Sequence, residues 1–236
     1  MNGMKKRINV GIFIPVRLSS KRFPAKAVYD SSFGKPLEFL IKNLSNNFIN
    51  KKNIIICTSR DKIEKKLFRL ARNIGCQIFK GSKNDLIDRF YNANKKFKFD
   101  YIIEVDGDDI MTDKKYIEIC FNELIKNELD FVYTANLPIG MNCKVFSAKA
   151  LELTQKVKIS KNNSNGFMQL FYKNPFLKKK KINFKKYKNY KIRLTLDYLE
   201  DIKFFEIIFF ILKIKKLKNN LKNYFKIIKD KKDIIK

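Results

Sequence analysis

No histidine occurs anywhere in the 236 residues. That absence excludes Ser-His triads, histidine general bases and imidazole metal ligands. Cysteine is scarce: Cys57, Cys76, Cys120 and Cys143 are widely spaced and form no C-x-x-C pair. They predict reduced, mostly core residues rather than disulfides or a thiolate metal centre. No G-x-x-x-x-G-K-[ST] run is present, so phosphate would have to be clamped by side chains rather than by a P-loop nest. Long apolar runs are also missing. The most apolar late stretch, Phe204 to Leu212, contains Glu206. It is far shorter than the ~20 residues a bilayer requires and predicts a buried helix. Met1 to Arg7 leads straight into the first strand with no signal-peptide pattern, so a cytoplasmic protein is expected.

Acidic residues are outnumbered 23 to 52, for a formal net charge of +29. Such a balance ordinarily points to nucleic acid or anionic lipid. The basic residues are, however, forty-four lysines and only eight arginines, with Asn and Ile also abundant. That skew is what a coding bias produces when it fills permissive positions, so a solvated lysine surface is expected and nucleic-acid binding is not. Where lysine is the default cation, an arginine points to a need for its planar, bidentate fork. Five of the eight, Arg17, Arg22, Arg60, Arg89 and Arg193, fall at strand ends or near candidate site loops.

The chain alternates strand and helix. Ile8 to Ile14 is apolar and β-rich, as a buried parallel strand should be, and the loop Val16 to Lys26 (V-R-L-S-S-K-R-F-P-A-K) follows it. Helices are predicted at Pro36–Leu44, Asp61–Ile74 (ended by Gly75), Asp85–Phe97, Lys114–Lys126, Ala148–Val157 and Leu199–Leu212. Strands are predicted at Asn53–Thr58, Gln77–Phe79, Tyr101–Val105, Asp130–Thr134 and Ile192–Leu196, with a short one at Val145-Phe146. This pattern implies an α/β, doubly wound, mostly parallel sheet with ligands at the strand carboxyl ends. Regularity breaks over 138–190, where Lys158 to Asn165 is polar and Lys178 to Lys191 is lysine-rich and weakly patterned. That region is expected to be an excursion from the sheet, a lid or dimerisation arm, within a catalytic domain spanning 1–212. Residues 213–236 form a basic amphipathic helical tail, with Ile214, Leu217, Leu221, Tyr224, Phe225 and Ile228 at helical spacing. The stripe is expected to pack on its own domain, weak contact with a membrane surface being the other use of such a helix.

The cationic loop offers Arg17, Ser20, Arg22 and Lys26 to a polyphosphate. Asp108 and Asp197 end two predicted strands and would face the same crevice, where two carboxylates suit Mg²⁺ completed by water and phosphate oxygens. Each could instead cap the helix that follows, and Asp106 and Asp109 are alternatives to Asp108.

These segments together resemble the cytidylyltransferase family of CMP-acidic-sugar synthetases, in particular its spore-coat-polysaccharide-type, acylneuraminate cytidylyltransferase-like branch. The family's A-R-x-x-S-x-R-L-P-x-K is matched by Arg17, Ser20, Arg22, Pro24 and Lys26, and G-K-P-L by Gly34-Lys35-Pro36-Leu37. F-R-G-S-x-x-D-V-L-D-R-Y is matched by Phe79-Lys80-Gly81-Ser82 and Asp85-Leu86-Ile87-Asp88-Arg89-Phe90. G-D-C-P-L corresponds to Gly107 through Met111, and L-R-L-T-L-D-x-x-E-D to Ile192 through Asp201. The likeness implies a nucleotide-diphosphosugar-transferase, Rossmann-like fold, CTP as donor and magnesium as cofactor. It implies attack of a sugar hydroxyl on the α-phosphorus with release of pyrophosphate, and an acidic 2-keto-3-deoxy sugar acceptor for surface glycans such as lipopolysaccharide or sialic acid-like polysaccharide. A homodimer is expected. By motif, Arg17 and Lys26 would hold phosphates, while Asp108 and Asp197 would coordinate magnesium; these four are the catalytic candidates. Ser20, Arg22, Gly81, Ser82, Arg89 and Asp106 join Arg17 and Lys26 as nucleotide-binding candidates. Asn142, Lys144 and Arg193 are the acceptor-binding candidates.

The departures lie on the acceptor side. Where relatives read G-x-D-x-E-V-F this chain has Gly140-Met141-Asn142-Cys143-Lys144-Val145-Phe146. Their R-E-H-x-T-P-Y becomes Ser164 through Leu170, and the proline after G-D-C is Ile110. An altered sugar, another nucleotide, a degenerate basic binding protein on the same fold and compositional drift all fit these changes.

Overall fold

The computed structural model describes residues 8–45, 49–158, 166–187 and 192–230. Seven strands form one sheet in the order β3-β2-β1-β4-β6-β5-β7. They are β1 (Val10–Pro15), β2 (Ile54–Ser59), β3 (Gln77–Gly81), β4 (Tyr101–Glu104), β5 (Phe131–Ala135), β6 (Lys144–Ser147) and β7 (Lys179–Asn183). All run parallel except β6, which is antiparallel to both β4 and β5. The central strands β1 and β2 are almost wholly buried, as continuous runs of Ile, Val and Phe demand when helices cover both faces.

Those helices start and stop where side chains satisfy the free backbone groups. Helix α1 (Pro36–Leu44) opens on proline, and α2 (Lys65–Ile74) closes on Gly75 at φ 82°. The Asp85 carboxylate accepts from the Asp88 amide to cap α3 (Leu86–Phe97). Asp113 caps α4 (Lys114–Lys126) and Ser147 caps α5 (Ala148–Val157) in the same manner. Short α6 (Gln169–Lys173), then α7 (Glu200–Ile214) and α8 (Leu221–Asp230), complete the set. Helices α1, α2, α4, α7 and α8 bury their apolar stripes on one face of the sheet, and α3, α5 and α6 do so on the other. The doubly wound expectation is met, and all four cysteines are buried and unbridged.

Two expectations change. The described residues within 138–190 return to the sheet rather than leaving it: β6 inserts between β4 and β5, and β7 adds the edge beside β5. Strand β6 is short and reversed, and β7 is a run of lysines at an exposed edge, so neither carries the apolar pattern of an interior parallel strand. Conversely, residues 192–196 are not a sheet strand. Among the described residues their β-pairing is one isolated parallel bridge, between Ile139 and Arg193. The tail stripe packs on its own domain, as expected: Leu221, Tyr224, Phe225 and Ile227 are buried, and the Leu221 amide donates to Asp113. Ile214, expected in that stripe, is exposed. The predicted loop at 159–165, with Ser164 and Asn165 of the altered acceptor motif, lies outside the described residues, as do 188–191.

Candidate functional site

Two cavities open at the carboxyl ends of the parallel strands. The first, about 1090 Å³, runs along the loop after β1 and includes Arg17, Ser20, Arg22 and Lys26. Leu86, Phe167 and Met168 give it an apolar end. The second, about 670 Å³, lies over β5 and β6 and takes in Tyr133, Asn142, Tyr172, Lys181 and Asp197. Arg22, Asp106, Asp108 and Lys144 line both, so the two spaces meet at these four side chains.

The loop after β1 is held from behind. The Val16 amide donates to the Cys57 carbonyl at 3.1 Å. The Leu18 amide donates to both oxygens of buried Glu64, each at 3.2 Å. Ala25 takes a left-handed conformation at φ 56° while its amide donates to the Leu18 carbonyl at 2.9 Å. That strained turn starts the short 3-10 helix Lys26–Val28 and sends the Lys26 side chain inward. Gly107 lets the β4 loop lie against β1, since a Cβ there would stand 2.5 Å from Val16 Cγ2.

Lys26 joins the two candidate aspartates. Its Nζ donates to Asp108 Oδ2 at 2.6 Å and to the Leu196 carbonyl at 2.7 Å, and stands 3.4 Å from Asp197 Oδ1. Arg22 donates to the same Asp197 oxygen at 2.6 Å. Asp197 reaches this point because its segment is pinned twice: the Leu194 amide donates to the Ile139 carbonyl at 2.7 Å, and the Leu196 amide to the Asp108 carbonyl at 2.9 Å. Gly140, at φ 90°, makes the first contact possible, because any Cβ there would overlap the Leu194 backbone. Asp201, in the first turn of α7, then accepts from the Asp197 amide at 2.6 Å and the Tyr198 amide at 2.9 Å.

Burial pushes the Asp108 carboxyl up, against the pull of Lys26. Buried Asp109 is raised much further, by burial and then by the charges of Asp106 and Asp108. Against its burial, the Lys144 ammonium holds Asp106 below the usual carboxylate range, so Asp106 and Asp108 are both better suited than Asp109 to act as an anionic ligand. Among the described residues no three acidic or cysteine side chains converge as a metal cage. Two carboxylates do converge on one cation, the Lys26 ammonium. The donor set fits a hard divalent ion that takes its remaining ligands from phosphate and water.

The other candidate residues divide. Ser20 and Arg17 line the first cavity, and the Arg17 guanidinium donates to the Lys83 carbonyl at 3.2 Å. Arg89 also lines it, yet is only 2% exposed and its guanidinium is occupied by the carbonyls of Ser82, Cys57 and Lys83. Its place is to hold the Lys83 carbonyl that Arg17 also uses. Gly81 and Ser82 stand outside the cavity lining: Gly81 makes room for Arg89, and Ser82 Oγ accepts from the Asp85 amide. Arg60 is exposed and lines neither cavity.

Of the acceptor-binding candidates, Lys144 lines both cavities and is neutralised from within. Its Nζ donates to Glu104 at 2.7 Å and Asp106 at 3.0 Å, the partner β4 residue Glu104 facing it across the β4–β6 pair. Burial pushes Glu104 up to about 8, with Asp106 adding to the shift and Lys144 opposing it. Arg193 lies away from the cavities, in a forked pair with Asp201. The Arg22 and Arg193 guanidinium groups both lie against the Tyr198 ring, at 5.5 and 5.6 Å. Sequence reasoning missed the positioning carboxylates Glu64 and Asp201 and the cavity residues Tyr133, Tyr172 and Lys181. For Asp201 the signal was present, an acid in the first turn of the helix that follows Asp197.

A mostly parallel Rossmann-like sheet with a cationic loop and paired aspartates at its carboxyl edge defines a nucleotidyltransferase. The family model for cytidylyltransferases matches residues 11–231, through α8 and close to the end of the chain, so this chain belongs to the cytidylyltransferase family. An uncharacterized protein of Methanocaldococcus jannaschii is 33% identical over 206 residues, covering 83% of this chain and 81% of that one. The spore coat polysaccharide biosynthesis protein SpsF of Bacillus subtilis is 24% identical over 196 residues, covering 80% and 81%. Among solved structures, a cytidylyltransferase from Leptospira borgpetersenii superposes with TM-score 0.84 at 23% identity, over 97% of both chains. A CMP:2-keto-3-deoxy-manno-octonic acid synthetase complexed with CTP superposes with TM-score 0.60 at 13% identity, over 89% of this chain and 100% of that one.

Proposed function

We propose that this protein transfers CMP from CTP to a hydroxyl of an acidic 2-keto-3-deoxy sugar, of the nonulosonate or octulosonate type, in the cytoplasm, and so supplies surface glycan assembly. The observation that carries this reading is the convergence of Asp108 and Asp197 on the Lys26 ammonium where the two cavities meet. One cavity is cationic with an apolar end, as a nucleotide triphosphate requires; the other is polar and aromatic, as a sugar requires.

In this reading Arg17, Ser20, Arg22 and Lys26 take the phosphate oxygens, and Leu86, Phe167 and Met168 take the pyrimidine. Asp108 and Asp197 would hold Mg²⁺, which when bound neutralises phosphate charge and acidifies the attacking hydroxyl. Lys26 keeps the two carboxylates together and adds positive charge beside the transferred phosphorus. Asp201 and the Tyr198 ring fix Asp197 and Arg22, so little reorganisation is needed at the moment of transfer. Such transfers depend mainly on alignment and charge neutralisation, so the absence of histidine is no obstacle.

The test is pyrophosphate release by purified protein given CTP, Mg²⁺ and a panel of 2-keto-3-deoxy sugar acids. Release is expected with at least one acid, and none across the panel would overturn the reading. In a thermal-shift comparison with UTP, GTP and ATP, CTP with Mg²⁺ is expected to give the largest rise in Tm.

A further inference from the structure

The cations that line the second cavity can be accounted for one by one. Arg22 is paired with Asp197, and Lys144 with Glu104 and Asp106. Lys181 remains. It stands in the exposed edge strand β7, opposite Tyr133 of β5, and its ammonium has no partner among the described residues. Its neighbours along the strand are engaged elsewhere. Lys179 donates to the Tyr172 and Asn174 carbonyls at the end of α6, and Lys180, on the opposite face, pairs with Glu123 of α4.

Beside Lys181 the cavity wall is aromatic. The Tyr133 and Tyr172 rings lie 4.6 Å apart, and both pack on Phe131, at 5.1 and 5.6 Å. Buried packing of this kind fixes the rings while leaving them a polar edge, which suits the mixed surface of a sugar. Neither tyrosine hydroxyl has a hydrogen-bond partner among the described residues. We infer that Lys181 is the specificity-determining residue for the acceptor: its ammonium pairs with the acceptor's carboxylate while Tyr133 and Tyr172 hold the sugar ring. This inference rests on the transfer reading above and moves acceptor-charge recognition from Lys144 and Arg193, which are internally neutralised or outside the cavity, to a residue on another strand.

The experiment measures binding rather than turnover. Monocarboxylate sugars, 3-deoxy-octulosonate and N-acetylneuraminate, are titrated against their methyl esters by ligand-observed NMR at low salt with CTP present. At least one acid is expected to bind about threefold to fivefold tighter than its ester at low salt, the upper scale for one solvent-exposed ion pair. Lys181→Met should erase that preference, Lys181→Arg should keep it, and Lys180→Met, which removes the same charge from the opposite face, should leave it unchanged. Lys181 is exposed, and circular dichroism checks that each variant folds. No preference for either acid, or a preference that survives Lys181→Met, overturns the inference. A Lys181-dependent preference without pyrophosphate release would overturn the transfer reading and leave Lys181 as a carboxylate-binding residue of the second cavity. Pyrophosphate release from CTP at equal efficiency with the acid and its ester as acceptor would overturn the inference and leave the transfer reading standing.

Discussion

The two cavities are built in opposite ways. The first takes its cations from one contiguous loop, Arg17 to Lys26, anchored by backbone bonds to the ends of neighbouring strands. The second is assembled from β5, β6, β7, α6 and the segment around Thr195 to Asp197, which are distant in sequence. In the first, residue type and function stay close together, because a short loop after a buried strand can only offer its side chains at the strand's end. In the second, tertiary pairing decides which charges remain available. Lys144 looks like an acceptor ligand until Glu104 is found opposite it, and Arg193 until Asp201 is found beside it.

The sharpest way to break this comparison is at the shared boundary. Asp108→Asn and Asp197→Asn should each lower pyrophosphate release by about 10²- to 10³-fold with the fold intact, the scale of losing a charge aimed at the transition state. Full activity in both variants would move the chemistry elsewhere. Asp201→Ala tests whether Asp197 depends on distant support. It strips acceptors from two amides and Arg193, and about tenfold in turnover and about 1–2 kcal/mol of stability should go, read by steady-state kinetics and urea unfolding. Gly140→Ala should cost about 1–3 kcal/mol, since it combines a positive φ with a clash at Leu194. If its unfolding midpoint matches that of the wild type, the bridge does not hold the 193–197 segment.

The smallest expected effect concerns pH. Glu104 ionises at about 8 in the folded protein against an ordinary value of 4.5. Between these values the native state keeps a proton that the unfolded chain releases, so this group makes stability fall as pH rises through that window. Glu104→Gln should flatten the decline in Tm between pH 5 and 8. An unchanged slope would show that the Glu104–Lys144 pair does not set the charge of the second cavity.

Much of the fold was legible from residue order. The boundaries of α1, α4 and α5 follow from Pro36 at a helix start, Asp113 and Ser147 as capping residues, and apolar periodicity between. Strand β7 was hidden because an exposed edge of lysines has no alternation to detect, while β6 was legible as the short strand Val145-Phe146 but not its reversed place between β4 and β5. The segment Ile192 to Leu196 misled in the other direction. Its β-like pattern reflects burial of Leu194 and Leu196 beneath the site rather than membership of the sheet.

What the sequence by itself determined was the outline of the first cavity: a cationic loop on a buried strand, one aspartate after a strand and one after a strand-like segment, and the family to which their order belongs. These are local features, set by backbone propensity and by residues adjacent in the chain. What only the tertiary structure decided was the state of those charges. Lys26 lies between Asp108 and Asp197, Lys144 is held by Glu104 and Asp106, and Lys181 is left to face the second cavity. An ammonium's availability depends on what stands within about 4 Å of it, and for a charge on a sheet that neighbour comes from another strand.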